Sequence, residues 1–167
     1  FMELIDEYEK LSYEDFKEIK YDQQYPDSIL YIGNISQIFD LDKSEFPNYE
    51  NLIDLIQNWD RRGDIENIGA AQWSLYYSYM LDVLSENDLS VKDTIDIKFH
   101  LDALEKTKDR LMKNFGKLDI RLGDIQRLVR GDKSFPVSGL IDMIAPTYSV
   151  PMAVSYTHLR AHETVHY

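Results

Sequence analysis

Three residues near the end of the chain have the types and spacing of a catalytic metal site. His162, Glu163 and His166 match the pattern H-E-x-x-H, and His158 extends the histidine series by four residues. On a helix, His162 and His166 would lie one turn apart on one face and bind a zinc ion, while Glu163 would activate its water. The pattern is therefore typical of a zinc metalloprotease.

The position of this pattern argues against a working zinc site. A catalytic zinc needs a third protein ligand, and the chain ends one residue after His166. Residues 154–164, VSYTHLRAHET, also resemble a peptide that arises when adapter DNA is translated at the end of an assembled reading frame. We therefore predict that residues 153–167 are a non-native tail, and that His162, Glu163 and His166 form no metal site.

His100 is the only histidine that precedes this tail, so any Ser-His-Asp or His-metal arrangement in residues 1–152 would have to use it. It lies between Phe99 and Leu101 in a helical pattern, and no G-x-S-x-G motif accompanies it. We predict that His100 is a packing residue. The tyrosines of the neighbouring apolar segment are likewise predicted to be core residues, and they are Tyr76, Tyr77 and Tyr79.

Two further motifs are weaker than they first look. Residues 40–51 begin like a calcium loop, but Glu45 stands where the sharp turn needs Gly and Asn51 stands where a bidentate Glu is required. We interpret them as a solvated connection between helices. Residues 62–64 and 130–132 both read Arg-Gly-Asp, which we interpret as ordinary turn chemistry instead of an adhesion motif.

Composition limits the class of protein. The 167 residues fit one domain with a real core, and 44% of them are hydrophobic. The net charge of −12, from 18 basic and 30 acidic side chains, disfavours a nucleic-acid surface. No cysteine is present, which excludes disulfides and thiolate metal sites. The sequence contains no apolar run long enough for a membrane span and no signal peptide.

The elements that would position these residues are mainly helical. Apolar residues recur at spacings of three and four, and Ser12 with Asp15 resembles a capping box. Residues 70–84 carry aromatic groups on nearly every side, which predicts a helix buried on more than one face. After residue 117 we expect turns with short strands at 127–129 and 140–144. The predicted helices fall at residues 4–11, 12–19, 29–39, 52–59, 70–84 and 99–116.

Residues 115–139 contain unusual residue types in a fixed order. A helix stop at Phe115-Gly116 leads to a predicted turn at Gly123-Asp124, a basic patch, and then a proline and a glycine. This order resembles a segment near the end of the large subunit of the penicillin acylase family, which includes the acyl-homoserine-lactone acylases. The matching residues are Phe115-Gly116, Gly123-Asp124, Arg127, Arg130-Gly131, Pro136 and Gly139.

Three positions of this segment depart from the family pattern. Leu122 stands where the family has Trp, Gln126 where it has His, and Leu140 where it has a second late glycine. Upstream, Leu52 to Ala71 and the last long helix are similar in character to the family, so the resemblance covers roughly residues 1–152. The stretch from Arg127 to Gly139 resembles the homoserine-lactone acylase branch more than the penicillin G type.

The resemblance implies the helical C-terminal part of an αββα N-terminal nucleophile hydrolase. In that family an N-terminal Ser attacks an amide, its own α-amino group is the base, and an Asn with a backbone N–H stabilises the oxyanion. None of these groups, nor the family's calcium ligands, matches a position of this chain. We therefore expect no catalytic residue and no cofactor here, with the rest of the large subunit and the small subunit as partners in the periplasm or outside the cell.

The alternative from another class is a non-catalytic helical interaction module. In that case the match would be a coincidence of turn-forming residues. The chain also opens within an amphipathic pattern at Phe1 and Met2, with no cap before it, so we expect that something precedes it.

Overall fold

A computed structural model describes residues 8–25 and 30–140. The predicted tail, with His158, His162, Glu163 and His166, lies outside these residues, as does most of the first predicted helix at 4–11. Of that predicted helix, the described residues from Tyr8 onward are not helical.

The described residues confirm a mainly helical chain with a small sheet. Five α-helices are connected by short segments, and two 3₁₀ helices, Leu30–Asp40 and Lys43–Glu45, lie between the first and the second. The strands form an antiparallel hairpin. The remaining elements, in chain order, are α1 Tyr13–Tyr21, α2 Glu50–Gln57, α3 Ala70–Glu86, α4 Ile97–Phe115, α5 Leu122–Ile125, β1 Arg127–Arg130 and β2 Lys133–Pro136.

Helix α1 begins where the sequence predicts. The Ser12 hydroxyl accepts a hydrogen bond from the Asp15 N–H at 3.2 Å, and an Asp15 carboxylate oxygen accepts one from the Ser12 N–H at 2.8 Å. This reciprocal pair satisfies two N–H groups that the first turn of a helix leaves without partners. The capping box is therefore confirmed.

The predicted third helix is present but is not regular. Residues Leu30–Asp40 are a 3₁₀ helix, interrupted at Gly33, which has φ 52° and ψ −133°. The Val91 carbonyl oxygen, in the 89–93 connection, accepts a hydrogen bond from the Asn34 N–H at 2.7 Å. A Cβ on Gly33 would lie only 2.2 Å from the same oxygen. The close approach of two backbones therefore breaks the helix.

Helix α3 is the centre of the core. It packs most extensively against α4 and also against α2 and α5. Ten of its 17 residues are buried. The ring of Trp73 lies 5.9 Å from that of Trp59 and 5.0 Å from that of Phe39, and the Arg61 guanidinium covers Phe39 at 3.6 Å. The prediction of burial on more than one face is confirmed.

The hairpin is only partly what the sequence predicts. Strand β1 confirms the strand expected at 127–129, but its partner is β2, which the sequence analysis missed. Of the strand predicted at 140–144, only Leu140 is described, and it is not in a strand. Lys133 and Pro136 made β2 hard to recognise in the sequence, because lysine and proline are depleted in strands. Within the described ranges, no helix is long and apolar enough to cross a membrane.

Gly33 provides a test of this packing. Gly33→Ala combines a strained positive φ with a collision against the Val91 carbonyl, so we expect a loss of about 3 kcal/mol or more in the free energy of unfolding. Gly131→Ala is the matched control: its φ of 60° is similar, but no atom lies within 4 Å of the added Cβ. It should cost about 1 kcal/mol. If urea unfolding shows the same loss in the free energy of unfolding for both variants, the contact with the Val91 carbonyl does not add to the cost of the substitution.

Candidate functional site

His100 lies in the interior between α3 and α4, only 1% exposed. Its Nδ1 is 2.5 Å from the Tyr76 hydroxyl and its Nε2 is 3.3 Å from Oε1 of Gln37. Because the Gln37 oxygen only accepts, Nε2 carries the proton and Nδ1 accepts from the Tyr76 hydroxyl. The imidazole is therefore held as one neutral tautomer.

The surroundings of His100 favour packing over catalysis. Burial lowers its pKa to about 4, and burial raises the pKa of Tyr76 well above its ordinary value. The hydrogen-bond partners of the imidazole are a phenol and an amide, with neither the serine nor the carboxylate of a hydrolytic triad. His100 is buried, as expected for a packing histidine, and the core position of Tyr76 and Tyr77 is confirmed. Tyr79 packs against the core but is only partly buried.

No metal centre is formed by the part of the chain that the structure describes, since no group of three His, Cys, Asp or Glu side chains comes together there. The calcium-like residues have a different role. An Asp42 carboxylate oxygen accepts hydrogen bonds from the Ser44 N–H at 3.0 Å and from its hydroxyl at 2.6 Å, which caps the short 3₁₀ helix. The interpretation of residues 40–51 as a helix connection fits this geometry.

Residues 115–139, which we call the closing unit, are hydrogen-bonded to the start of α3. Gly116 ends α4 in the left-handed conformation, with φ 69°. The chain then runs past α3, where the Gln72 amide donates to the carbonyl oxygens of Leu118 at 2.5 Å and Ile120 at 3.2 Å. The same side chain accepts from the Gly69 N–H at 2.7 Å. Gln72 therefore fixes both the start of α3 and the segment that crosses it.

The expected turn at Gly123-Asp124 is wrong in detail. Gly123 lies inside α5 and its φ is not positive. It is required by close packing instead: an added Cβ would be 2.9 Å from both the Ile65 carbonyl oxygen and a side-chain carbon of Pro136. The Gly123 N–H donates to that same oxygen at 2.8 Å. The glycine therefore lets α5 lie directly against the 60–69 loop.

The Gln126 side chain links the residue before β1 to the chain that follows β2. Its side-chain amide donates to the carbonyl oxygens of Val137 at 3.0 Å and Gly139 at 2.7 Å. The Gly139 N–H in turn donates to the carbonyl oxygen of Gly63 at 2.7 Å. Gly63, the centre of the first Arg-Gly-Asp, is thus buried at a junction of three segments, and that tripeptide is structural.

Arg121 links α5 to the 60–69 loop by ion pairs. Its guanidinium bonds Glu66 at 2.8 Å and Asp124 at 3.3 Å. The hydrogen bond from Arg121 lowers the pKa of the Asp124 carboxyl. No local sequence pattern singled out Gln72 or Arg121. The available signal for Gln72 was an amide inside an otherwise apolar helix, which has to find a partner when buried.

The basic patch lies on the hairpin. Arg127 is turned toward the body, where its guanidinium donates to the Gly123 carbonyl oxygen at 2.9 Å and to the Ser134 hydroxyl at 2.7 Å. Arg130 and Lys133 are exposed. Gly131, with φ 60°, takes the first position of the two-residue loop, where a type II′ hairpin turn requires a positive φ. The second Arg-Gly-Asp is therefore a hairpin turn, as expected.

A shallow depression of about 370 Å³ lies between α2 and the 117–121 segment, lined by Asn51, Asp54, Leu55, Leu118 and Asp119. Lys43 forms an ion pair with Asp54 at its edge. The lining contains two carboxylates, Asp54 and Asp119, but no histidine or serine, so no Ser-His arrangement forms there.

Comparisons with protein-family models, curated protein sequences and solved structures found no match to this chain. The resemblance to the penicillin acylases therefore rests on the residues of the chain itself.

The pH dependence of stability tests the buried imidazole. Its pKa of about 4 in the folded state is below the 6.5 of an unperturbed histidine. Above pH 6.5 the imidazole is neutral in both states and contributes nothing. As pH falls from there toward 4, the unfolded chain binds the proton first, so about 3 kcal/mol of stability is lost.

His100→Gln removes this titration while keeping an acceptor for the Tyr76 hydroxyl. The difference in urea-unfolding free energy between the variant and the parent chain should therefore shift in favour of the variant as pH falls from about 7.5 to about 4.5. Taking the difference removes the pH-dependent contributions of the carboxylates and the other histidines, because these are the same in both chains. A difference that stays constant with pH would contradict a neutral, buried His100.

The contribution of the Gln126 hydrogen bonds can be tested at a single backbone amide, that of Gly139. Gln126→Ala removes two partly buried hydrogen bonds, so we expect a loss of about 1–2 kcal/mol and faster hydrogen exchange at the Gly139 amide. Gln24→Ala is the control, because the Gln24 amide also donates to two carbonyl oxygens but is exposed to solvent. Exchange at Gly139 that changes equally in both variants would show that Gln126 does not hold the unit closed.

Proposed function

We propose that this chain is the helical C-terminal part of the large subunit of an acylase-like amide hydrolase. It supplies structure to that enzyme and no catalytic atoms. The parent enzyme removes an acyl group from an amine, with substrates of the acyl-homoserine-lactone or β-lactam kind. This chain alone is inactive, and its partners are the rest of the large subunit and the small subunit, in an αββα fold in the periplasm or outside the cell.

The observation that supports this proposal most is the way residues 115–139 use their ordered pattern. Positive φ explains Gly116, Gly131 and Gly139, as turn chemistry alone would. It does not explain Gly123, which is required by the contact with Ile65 and Pro136. The motif positions Gly123 and Pro136 thus depend on each other through a packing contact, which favours one structural unit over a coincidence of turns.

The described side chains also fit a segment that supports the fold of the parent enzyme and carries no catalytic group. The buried imidazole bonds a phenol and an amide instead of a serine and a carboxylate, and no three metal-binding side chains meet among the described residues. In the parent enzyme the nucleophile, base and oxyanion donors would come from other segments. The Gln72 and Gln126 bonds would hold the closing unit against the helices.

A second candidate is a self-sufficient helical interaction module, and one observation favours it. Helix α3 is covered by other elements of this same chain, and among its large apolar side chains only Leu81 is more than a third exposed, at 38%. A helix that is built to pack on sheets of a larger protein is expected to keep an uncovered apolar face. The core of the described residues shows no such face on α3.

The reading frame and the behaviour of its product distinguish these candidates. We would sequence the genomic locus on both sides of this frame and express the complete frame. If the acylase proposal holds, the complete product cleaves itself into two subunits with a new N-terminal Ser and releases homoserine lactone or amine from N-acyl substrates. The present chain alone should release none.

The opposite result is equally defined. A start codon just before Phe1, together with a monomer that unfolds in one cooperative transition, would reject the acylase proposal and favour the module. A variant chain ending at Met152 should fold unchanged. If it also loses nothing but weak zinc or nickel binding, the histidines of the tail have no functional role.

A further inference from the structure

We propose that Tyr76 is a one-electron oxidation site in the core, with His100 as the acceptor of its proton. The electron leaves along the rings of Trp73 and Trp59, which we call the aromatic path. This inference does not depend on the acylase proposal, and it adds a redox activity to residues that also pack the core. It rests on the hydrogen bond of the phenol, the burial of the pair and the spacing of the rings.

The hydrogen bond of Tyr76 prepares the phenol to lose a proton. Its hydroxyl donates to Nδ1 of His100 at 2.5 Å, while Nε2 of the imidazole donates to Oε1 of Gln37 at 3.3 Å. The lone pair of Nδ1 therefore points at the phenol hydrogen. A phenol that has lost an electron is a far stronger acid than an imidazolium. The proton of an oxidised Tyr76 consequently moves to Nδ1 along a hydrogen bond that already exists.

The oxidation step balances in atoms and in charge. A one-electron oxidant at the protein surface is reduced by the electron that leaves the Tyr76 ring. The O–H bond of Tyr76 breaks and an N–H bond forms at Nδ1 of His100, which gives a neutral tyrosyl radical and an imidazolium. A one-electron reductant such as ascorbate reverses the step, and the proton then returns to the phenol oxygen.

Burial couples the loss of the electron to the transfer of the proton. Tyr76 is fully buried, and His100 is 1% exposed. Burial raises the pKa of the Tyr76 phenol well above its ordinary value, so the phenol keeps its proton until the electron leaves. Burial also lowers the pKa of His100 to about 4, so the imidazole is neutral near pH 7 and able to accept.

The aromatic path connects Tyr76 with the 60–69 loop. The ring centroid of Trp73 lies 5.9 Å from that of Tyr76, and the ring centroid of Trp59 lies 5.9 Å from that of Trp73. Indole and phenol rings are among the most easily oxidised side chains, and electrons pass readily between such rings when they are in contact. Trp59 is 4% exposed and immediately precedes the loop, so the path ends next to the surface.

Proton transfer determines where the oxidation comes to rest. The indole N–H of Trp59 donates to the Arg62 carbonyl oxygen at 2.8 Å, and a backbone carbonyl is too weak a base to take the proton. An oxidised Trp59 therefore remains a radical cation. An oxidised Tyr76 becomes neutral, because His100 takes its proton. The oxidising equivalent is thus expected to move inward from Trp59 and to stay at Tyr76.

The test uses the full chain and a ruthenium(III) polypyridyl complex, which is generated by a laser flash and takes one electron without binding. Transient absorption and electron paramagnetic resonance measure the yield and the lifetime of tyrosyl radicals. We expect a radical that outlives the radical of N-acetyltyrosinamide under the same conditions, because the core separates it from other molecules. Its formation should be slower in heavy water, since a proton moves with the electron.

Tyr76→Phe identifies this radical among the 12 tyrosines of the chain. The variant keeps the ring but removes the O–H group, so the long-lived radical should be lost. Tyr77→Phe is the matched control, because Tyr77 is also buried and its ring centroid is 5.5 Å from that of Trp73. Both nitrogens of the His100 ring are bonded to other groups, so the control should keep the long-lived radical.

Two further variants separate the redox role from a purely structural one. His100→Gln keeps an acceptor for the phenol hydroxyl, but an amide does not hold a proton, so the long-lived radical should be lost although the chain remains folded by circular dichroism. Trp73→Phe leaves the bond between Tyr76 and His100 in place and removes an oxidisable ring from the path. It should slow the formation of the radical, and it tests the proposal even if Tyr76→Phe fails to fold.

Several results would overturn the proposal. These are a radical that decays as fast as that of N-acetyltyrosinamide, and equal losses in the Tyr76 and Tyr77 variants. A long-lived radical that persists in His100→Gln would show that the imidazole does not take the proton. An unchanged rate of formation in Trp73→Phe would show that the electron does not leave along the aromatic path.

Discussion

Helix α3 is apolar around most of its circumference, and such a helix has to be covered on several sides at once. Burial of its ten interior residues orders the other elements around it. Helices α2 and α4 cover it, and the chain after Gly116 passes across its first turn toward α5. The stacked pair of Trp59 and Trp73 extends this core to the 60–69 loop. The fold is therefore organised around a single buried helix.

Burying α3 also buries its polar groups, and each of these needs a partner. Gln72 bonds the backbone at Gly69, Leu118 and Ile120, so one amide joins the start of the helix to the closing segment. Tyr76 bonds His100, which links α3 to α4 with a neutral pair. These bonds specify which elements lie side by side, whereas the apolar contacts supply most of the stabilisation.

The segment 115–139 shows how residues that look alike in sequence have different physical roles. Gly116 takes a left-handed conformation, Gly123 allows backbone contact, and Gly131 forms the hairpin turn. Gln126 closes the unit by bonding two carbonyl oxygens. As a result the inward side of the segment holds it against the body, whereas Arg130, Lys133 and Phe135 of the hairpin are exposed.

The sequence by itself determined the elements whose signals are local. Spacing of apolar residues located α3 and α4, the Ser12–Asp15 pair located the start of α1, and Gly116 located the end of α4, because all of these depend on neighbours within one turn. It also identified His100 as a packing residue and β1 as a strand.

Only the tertiary structure decided the features that join distant residues. The break at Gly33 depends on Val91, the need for Gly123 depends on Ile65 and Pro136, and the tautomer of His100 depends on Tyr76 and Gln37. Strand β2 is weak by composition and is recognised through its pairing with β1. No local pattern encodes such contacts, because their free energy appears only when segments far apart in the chain come together.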